Sequence, residues 1–471
     1  MKPVLLIDFG STYTKLTAVD IDSQTLLGTS QSYTTVETDI NEGFDNALAL
    51  LRKQTGKLRF EERFACSSAA GGLRMVTSGL VPELTAEAAR IASLGAGAKV
   101  VKVFSYQLTE EDVDDISRLA PDIFLLTGGT DGGNSATILH NARMLATCPV
   151  RFPVLVAGNR NCTKECETLL EGWETYRCEN VLPRLGQLQV EPVQTKIRDI
   201  FLNKIIFAKG LSKATELLSG ILMPTPSAMF SAMELLSGGT SRTPGLGELI
   251  AVDLGGATTD VYSMAEGLPG NDRTVLKGLQ EPYAKRTVEG DIGMRYNAQG
   301  ILEAKGAERL SRLSGISKER VTELIDLVST HTDRLPDTEE LLGLDRALAC
   351  AAIDTAVFRH AGTLEEVYTP LGQAFVQVGK DLRDVSRLVV TGGAIVHNPR
   401  AAEIAGHAVG TGRTAISSAE KLSLKPRRVD VYIDRKYILA AMGLLSTKYP
   451  DTALAIMKKE LEHHGACEQK D

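Results

Sequence analysis

The sequence is poor in aromatic residues, which make up 5% of its 471 residues, and Trp173 is the single tryptophan. It also lacks any long run of lysine and arginine, and its formal net charge is −7. Proteins that bind single-stranded nucleic acid use aromatic side chains for base stacking and a basic groove for the backbone. Both absences argue against a nucleic-acid partner.

Long apolar runs are absent too. No stretch approaches the roughly 20 apolar residues that span a bilayer, and Asp8 interrupts the apolar run near the start of the chain. The cysteines number seven, an odd count scattered along the chain, which is typical of reduced thiols. We therefore expect a cytoplasmic protein with no membrane contact.

The chain is too long to fold around one ordinary hydrophobic core, so we expect two or three domains. Apolar runs alternate with helical patterns over residues 62–180, which predicts an inserted α/β segment with a parallel sheet. The turn-rich stretch at 238–247 is the preferred boundary between the two halves of the chain. The predicted organisation is a first lobe at 1–247 that includes the insertion, a second lobe at 248–450, and a C-terminal tail at 451–471.

One short pattern occurs twice, as LLIDFGSTYTKL at residues 5–16 and as IAVDLGGATTDV at residues 250–261. At an offset of 245 the acids Asp8 and Asp253 align, and so do the glycines that follow them. Each copy is typical of a strand, a glycine turn and a second strand. A turn alone needs no matched acid, so the aligned pair favours a shared function over two unrelated β-turns.

The composition of the repeated turn predicts a site for a triphosphate. Glycines let the backbone approach phosphate oxygens with its N–H groups, and Lys15 can neutralise a phosphate. Asp8 and Asp253 would repel the same phosphates unless Mg²⁺, which prefers carboxylate, water and phosphate oxygens, lies between them. The glycines are Gly10, Gly255 and Gly256, and the hydroxyl donors are Ser11, Thr12, Thr258 and Thr259.

A second motif, LVVTGGAIVHN at residues 388–398, runs an apolar strand into Gly392 and Gly393. Such glycines let a backbone pass against a flat ring, here adenine and ribose, although a tight turn is the better explanation of the motif in isolation. FLLTGGTDGGN at residues 124–134 matches it at an offset of 264. We therefore expect each half to carry an acid–glycine hairpin and then a TGG turn, as in two related domains that close on one nucleotide.

Together these motifs resemble those of the superfamily of actin, heat-shock chaperones and sugar kinases. The resemblance implies a two-lobed α/β fold of duplicated ribonuclease H-like domains, with ATP and Mg²⁺ between the lobes. It implies that an oriented water hydrolyses the γ-phosphate, with Asp8, Asp253 and Thr258 as catalytic residues and the two aspartates as metal ligands. The implied nucleotide ligands are Gly10, Ser11, Thr12 and Lys15, then Gly255, Gly256, Thr259 and Asp260, and finally Gly392 and Gly393.

A narrower resemblance spans nearly the whole chain, to the MutL-type accessory proteins of methylaspartate (glutamate) mutase, which are unrelated to the mismatch-repair protein of similar name. It implies an ATP-coupled chaperone that reactivates an adenosylcobalamin-dependent mutase by releasing damaged cofactor, with glutamate mutase as the partner. The matching segments are CSSAAGGLRMV, LTAEAA, LGAGAKV, LLTGGTDGGN, VLVAGNRN, MPTPSAM, TVEGDIGMR and DRKYILAAMGLLS.

Several alternatives stay open. DFGSTYTK also resembles the ATPase activators of acyl-CoA dehydratases, which share an iron–sulfur cluster, but Cys162 and Cys166 lack the second cysteine pair of a metal site. A small-molecule kinase needs a base in its substrate pocket, and the sequence identifies none. A module that binds ATP without hydrolysing it is a third candidate. The segment TVEGDIGMR, residues 287–295, either faces the nucleotide or caps a helix.

Overall fold

A computed structural model of the protein describes residues 1–10, 12–33, 40–68, 73–205, 221–370, 372–410 and 421–468. The chain divides into two compact units. The first comprises Met1–Leu235 with Ile438–Ile456, and the second comprises Leu236–Tyr437 with Met457–Asp471. No helix in the described ranges is long and apolar enough to cross a bilayer. The lobe limits expected from the turn-rich stretch stay a prediction.

Up to residue 238 the chain alternates between strands and helices. The strands are β1 (Pro3–Phe9), β2 (Tyr13–Asp20), β3 (Thr25–Tyr33), β4 (Glu62–Ser67), β5 (Arg74–Gly79), β6 (Lys99–Ser105), β7 (Ile123–Leu126), β8 (Val154–Val156), β9 (Thr175–Arg177) and β10 (Ile221–Pro224). The helices are α1 (Ile40–Thr55), α2 (Glu87–Gly95), α3 (Glu110–Leu119), α4 (Ala136–Ala146), α5 (Thr163–Leu169), α6 (Glu191–Ile200) and α7 (Thr225–Gly238).

The first sheet of the first unit has the strand order β10-β4-β1-β2-β3. β1, β2 and β3 pair antiparallel, whereas β4 is parallel to β1 and β10 is parallel to β4. The run PVLLIDF forms the central strand β1, and every residue of it is buried, as expected for a strand covered on both faces. The register places Asp8, near the end of β1, opposite Lys15.

A second sheet, with the order β6-β5-β7-β8-β9, is inserted between β4 and β10, and all of its strands are parallel. Helices α2 to α5 alternate with its strands, as the sequence pattern predicts. One face packs on a buried cluster in which Phe152 contacts the rings of Phe124 and Trp173, with centroids 6.0 and 5.1 Å away. The inserted sheet begins at Arg74, because the segment from residue 62 supplies β4 of the first sheet.

From residue 249 onward the strands are β11 (Leu249–Leu254), β12 (Thr259–Met264), β13 (Thr274–Lys277), β14 (Ala284–Glu289), β15 (Thr363–Thr369), β16 (Gly372–Val378), β17 (Arg387–Thr391), β18 (Lys421–Ser423), β19 (Arg428–Ile433) and β20 (Glu462–Glu468). The helices are α8 (Ala298–Lys305), α9 (Ala307–Ser314), α10 (Lys318–Thr330), α11 (Glu339–His360), α12 (Gly393–Val396), α13 (Ala401–Gly406), α14 (Leu439–Ser446) and α15 (Pro450–Glu460).

The main sheet of the second unit has the order β14-β12-β11-β17-β19-β20. β11, β12 and β14 pair antiparallel, and β17 and β19 follow in parallel. Without the edge strand β20, the order and directions repeat those of the first sheet, with β11 in the place of β1. The predicted α/β fold built from duplicated ribonuclease H-like sheets is therefore confirmed.

The sequence also predicts a helical tract over 298–382, and this is wrong beyond His360. Helices α8 to α11 end there, and β15 and β16 join the smaller sheet β13-β16-β15-β18. Threonine, valine, tyrosine and phenylalanine in TLEEVYT and GQAFVQV favour strands, and their pairing in a hairpin outweighs the helical pattern. The predicted break near 331–338 is confirmed between α10 and α11.

Helix α14 returns the chain to the first unit, where it packs against β1 and β4. Gly443 permits a close approach of α14 to α7, because a Cβ atom at residue 443 would stand 1.8 Å from the carbonyl oxygen of Ala228. After the helix, Lys448 Nζ and Tyr449 OH lie 2.8 and 2.7 Å from the carboxylate of Glu62. The hydrogen bond from Lys448 lowers the pKa of Glu62 to about 2, despite its partial burial.

We expect Glu62→Gln to destabilise the first unit by about 1 kcal/mol at neutral pH. A lowered folded-state pKa stabilises above the unfolded pKa of 4.5, and this contribution disappears as the pH falls towards about 2. Urea unfolding at several pH values measures it, with Glu61→Gln, at an exposed neighbouring acid, as the matched control. An equal loss of stability at pH 7 and pH 3 would contradict a stabilising role of the ionised Glu62 carboxylate.

Candidate functional site

The first glycine hairpin joins β1 to β2. The N–H of Gly10 donates to the carbonyl oxygen of Tyr13 at 3.2 Å. A Cβ atom on residue 10 would stand 2.6 Å from that oxygen, so only glycine fits without a shift of the backbone. Thr12 is exposed in the turn, and Ser11 lies outside the described residues. The predicted phosphate turn is thus a closed hairpin, and Thr12 is exposed in it.

Asp8, two residues before Gly10, is 6% exposed and has protein partners on both carboxylate oxygens. Thr225 Oγ1 lies 2.6 Å from Oδ1, and Cys66 Sγ lies 3.5 Å from the same oxygen. Lys15 Nζ lies 3.7 Å from Oδ2. Burial, followed by the charge of Asp8, raises the pKa of the Cys66 thiol well above its ordinary value, so the thiol stays protonated. The structure brings the predicted residues Asp8 and Lys15 together and adds Thr225 and Cys66.

The second hairpin, between β11 and β12, repeats this geometry. The N–H of Gly255 donates to the carbonyl oxygen of Thr258 at 2.9 Å, the same bond as in the first hairpin at the offset of 245. Asp253 pairs in register with Asp260, as Asp8 pairs with Lys15. The repeat seen in the sequence is therefore a repeat of backbone hydrogen bonds and of strand register.

The tip of the second hairpin is braced from one side by residues 294–297. Their backbone N–H groups donate to the carbonyls of Gly255 at 3.1 Å and of Gly256 at 2.8 and 3.0 Å, and the Asn297 amide donates to the carbonyl of Ala257. The C=O and N–H of a planar trans peptide point in opposite directions. The next N–H groups along the tip, up to that of Thr258, therefore point away from the brace. Successive N–H groups on one side of a turn form an anion-binding concavity.

The bracing segment begins within the last two residues of the motif TVEGDIGMR and continues to Asn297. The Arg295 guanidinium makes two hydrogen bonds, of 2.9 and 2.7 Å, to Asp345 on α11. Arg359 contacts both acids of the motif, Glu289 and Asp291, at 2.8 Å. The charged groups of the motif are paired within the protein, and its backbone supports the glycine turn. Neither of the two readings left open by the sequence describes this role.

Two predicted nucleotide ligands in β12 have partners inside the protein. Thr259 is buried, and its hydroxyl donates to the carbonyl oxygen of Ile292 at 2.9 Å. Asp260 accepts two hydrogen bonds, of 2.8 and 2.6 Å, from the buried guanidinium of Arg286. Burial lowers the pKa of the Arg286 guanidinium, but its interactions with Asp260 and Tyr262 together outweigh burial, and the pKa is raised. Their contact with a nucleotide stays a prediction.

The TGG turn after β17 lies beside the second hairpin, because β17 pairs with β11 and places Thr391 opposite Asp253. Gly392 has a φ of +107°, and a Cβ atom there would stand 2.2 Å from the carbonyl oxygen of Leu254. Thr391 Oγ1 donates to the buried acid Asp434 at 3.4 Å. Gly393 lies next in the turn, so both glycines predicted for the adenosine loop adjoin the hairpin of Asp253.

The TGG motif of the first half does not form the counterpart of this turn, so that prediction is wrong. Residues Thr127–Gly129 follow β7 of the inserted sheet, whereas the strand that corresponds to β17 is β4. The loop that follows is held by two buried side-chain amides: that of Asn159 donates to the carbonyl of Gly133, and that of Asn180 donates to the carbonyl of Gly129. Glycine pairs suit any tight turn after a parallel strand, and this shared geometry explains the false match.

The cysteine pair considered for a metal site lies in the core of the inserted segment. Cys162 and Cys166 are buried. Burial raises the pKa of Cys166 to about 12, and that of Cys162 is raised for the same reason. Both thiols are therefore neutral near pH 7, and a neutral thiol is a poor metal ligand.

Comparison with known proteins identifies the family of this chain. A sequence model of the MutL protein family matches residues 4–461. Protein MutL from Clostridium tetanomorphum is 48% identical over 467 residues, which cover 98% of this chain and 99% of that protein. The chain belongs to the MutL protein family. The family resemblance inferred from the motifs is confirmed.

Solved structures similar to this MutL-family chain include glycerol kinase from Plasmodium falciparum with ADP, which is 11% identical with a TM-score of 0.36. That match covers 100% of this chain and 94% of the kinase. The activator of 2-hydroxyisocaproyl-CoA dehydratase from Clostridium difficile with bound ADPNP is 11% identical with a TM-score of 0.31, and the match covers 98% of both chains.

We expect Arg286→Met to lower the free energy of unfolding by about 3 kcal/mol, because it leaves the Asp260 carboxylate without its buried counter-ion. The double variant Arg286→Met/Asp260→Asn should regain part of that loss. Unfolding in guanidinium chloride measures the stability of both variants. Arg320→Met is the control: Arg320 pairs at the surface, and its substitution should cost less than about 1 kcal/mol. Equal stability of the Arg286 and Arg320 variants would contradict a structural ion pair.

Proposed function

We propose that this protein is an ATPase that reactivates an adenosylcobalamin-dependent mutase, and that its partner is glutamate (methylaspartate) mutase. Membership of the MutL family supports the accessory role. The observation that carries nucleotide binding is the repeated hairpin, in which the same glycine bond follows an acid at the same register position. The protein would act in the cytoplasm, without nucleic acid or a membrane as partner.

The acids of the two hairpins fit Mg²⁺ that arrives with ATP. Mg²⁺ keeps several waters and takes one or two carboxylates together with phosphate oxygens. Asp8 and Asp253 offer one carboxylate at each hairpin. Among the residues that the structure describes, no cluster of three or more histidine, cysteine, aspartate and glutamate side chains could form a metal cage. This donor set suits a metal shared with a triphosphate.

The chemistry required of these residues is positioning and charge stabilisation, which dominate phosphoryl transfer. The backbone N–H groups from Gly256 to Thr258 would bind phosphate oxygens, and the Lys15 ammonium would neutralise one of them. Asp8 and Asp253 would orient the attacking water and the metal-bound waters. The metal, when bound, supplies positive charge to the phosphate oxygens as the bond to the γ-phosphate breaks.

ATP hydrolysis can act on a mutase only if ATP and ADP stabilise different conformations of this protein. A nucleotide shifts a conformational equilibrium by its difference in affinity for the two states. Couplings between two binding sites are typically about 1–3 kcal/mol, or about 5–150-fold in affinity. A difference of that size would let one nucleotide state hold the mutase while its cofactor site releases an inactive cobalamin.

We expect Asp253→Ala to reduce Mg²⁺-dependent ATP hydrolysis by at least about a hundredfold, because it removes a carboxylate that orients metal and water. Asp272→Ala, at an exposed acid of the same unit, is the matched control and should keep full activity. ADP release is measured with and without mutase inactivated by cyanocobalamin, and mutase activity is followed with free adenosylcobalamin present.

The wild type should restore the mutase only with ATP, and a non-hydrolysable analogue should stop recovery after at most one round. Equal recovery with and without ATP would refute the reactivating role. A phosphorylated small molecule among the products would indicate a kinase instead. Normal turnover by Asp253→Ala would remove that residue from the catalytic machinery.

A further inference from the structure

Thr225 lies where β10 turns into α7, and the sheet brings it to Asp8. The parallel register pairs Asp8 with Cys66 on β4, and Cys66 in turn with Met223 on β10. Thr225 follows two residues after Met223. Three neighbouring strands thus end beside one carboxylate, although 217 residues separate Thr225 from Asp8.

The contacts divide the Asp8 carboxylate into two different oxygens. Oδ1 lies 2.6 Å from the Thr225 hydroxyl and 3.5 Å from the Cys66 thiol. Oδ2 lies 3.7 Å from the Lys15 ammonium. A carboxylate oxygen with two neutral donors is fixed in orientation, and this fixes the direction of the second oxygen as well.

The backbone around Thr225 is restrained on every side. Pro224 and Pro226 flank it and fix their own φ angles, and a proline in the first turn of a helix costs no hydrogen bond. Two residues later, Ser227 donates to the carbonyl of Ala96 at 2.8 Å. Ala228 packs directly on α14. The Thr225 hydroxyl is therefore held in place before any ligand arrives.

The corresponding position in the second unit is built differently. Thr391 occupies the place of Cys66, because it pairs in register with Asp253. Its hydroxyl donates to Asp434. At this register position the first unit therefore has a thiol beside Asp8, whereas the second unit has a hydroxyl that donates to Asp434.

We propose that Thr225 is the positioning residue of Asp8, with Cys66 as the second donor. Thr225 fixes Oδ1 so that Oδ2 is presented to Lys15 and to the hydrated metal of Mg·ATP. This inference rests on the proposed ATPase function and adds to it a residue that acts through Asp8. The sequence signal is the threonine between two prolines that follows an apolar strand.

The test compares Thr225→Val, which keeps the shape and removes the hydroxyl, with Thr225→Ser, which keeps the hydroxyl. Isothermal titration measures the affinity for Mg·ATP and, with EDTA, for ATP alone. Thr225→Val should weaken Mg·ATP binding by about tenfold, the usual effect of losing a hydrogen bond to a charged group. It should leave ATP binding in EDTA unchanged, and Thr225→Ser should bind Mg·ATP like the wild type.

A double-mutant cycle separates positioning from a general structural effect. In the Asp8→Asn background, Thr225→Val should weaken Mg·ATP binding no further, because the hydroxyl acts through the Asp8 carboxylate. Thr127→Val is the matched control: it removes another buried hydroxyl of the first unit, which donates to the carbonyl of Ser78 at 2.6 Å. That variant should bind Mg·ATP normally. If Thr225→Val does not fold, Thr225→Ala replaces it in the cycle.

The outcomes distinguish this inference from the function on which it rests. Wild-type protein that binds no Mg·ATP would refute the proposed function. Wild-type binding with equal affinity in Thr225→Val would overturn the positioning role and leave the function standing. Equal losses in the wild-type and Asp8→Asn backgrounds would also overturn it, because the hydroxyl would then act independently of Asp8.

Discussion

The bond that closes each glycine hairpin is the constraint on which the candidate site depends. In both units a glycine N–H donates to a carbonyl three residues later, and a Cβ atom would collide with that oxygen. A larger residue would open the turn and shift the strand that carries the acid. The positions of Asp8 and Asp253 therefore follow from a backbone requirement, and the proposed chemistry depends on turns that only glycine closes well.

Strand registers and turn glycines could be predicted because they leave a local pattern. The offset of 245 aligns both hairpins, and the structure reproduces it in the pairing of Asp8 with Lys15 and of Asp253 with Asp260. The TGG motif misled for the opposite reason. A glycine pair suits any tight turn after a parallel strand, so the motif at residues 127–129 carries no information about which sheet it belongs to.

The contacts that support each hairpin join residues far apart in the chain, and a single sequence carries no signal for them. The hydrogen bond from Thr225 to Asp8 and the pairing of Arg295 with Asp345 depend on which strands and helices become neighbours. The strands β15 and β16 were missed for a related reason. Their alternation is short and weak, and pairing within a hairpin decides their conformation.

The return of α14 to the first unit has a consequence for synthesis on the ribosome. Helix α14 covers β1 and β4, yet it is made after almost all of the second unit. Domains usually fold as units in order of synthesis. Here the unit that begins first cannot bury its central strands against their final partner until α14 emerges, after most of the second unit has been made. A fragment that stops before α14 would leave an apolar face of that sheet uncovered, so the two units are coupled in folding by the path of the chain itself.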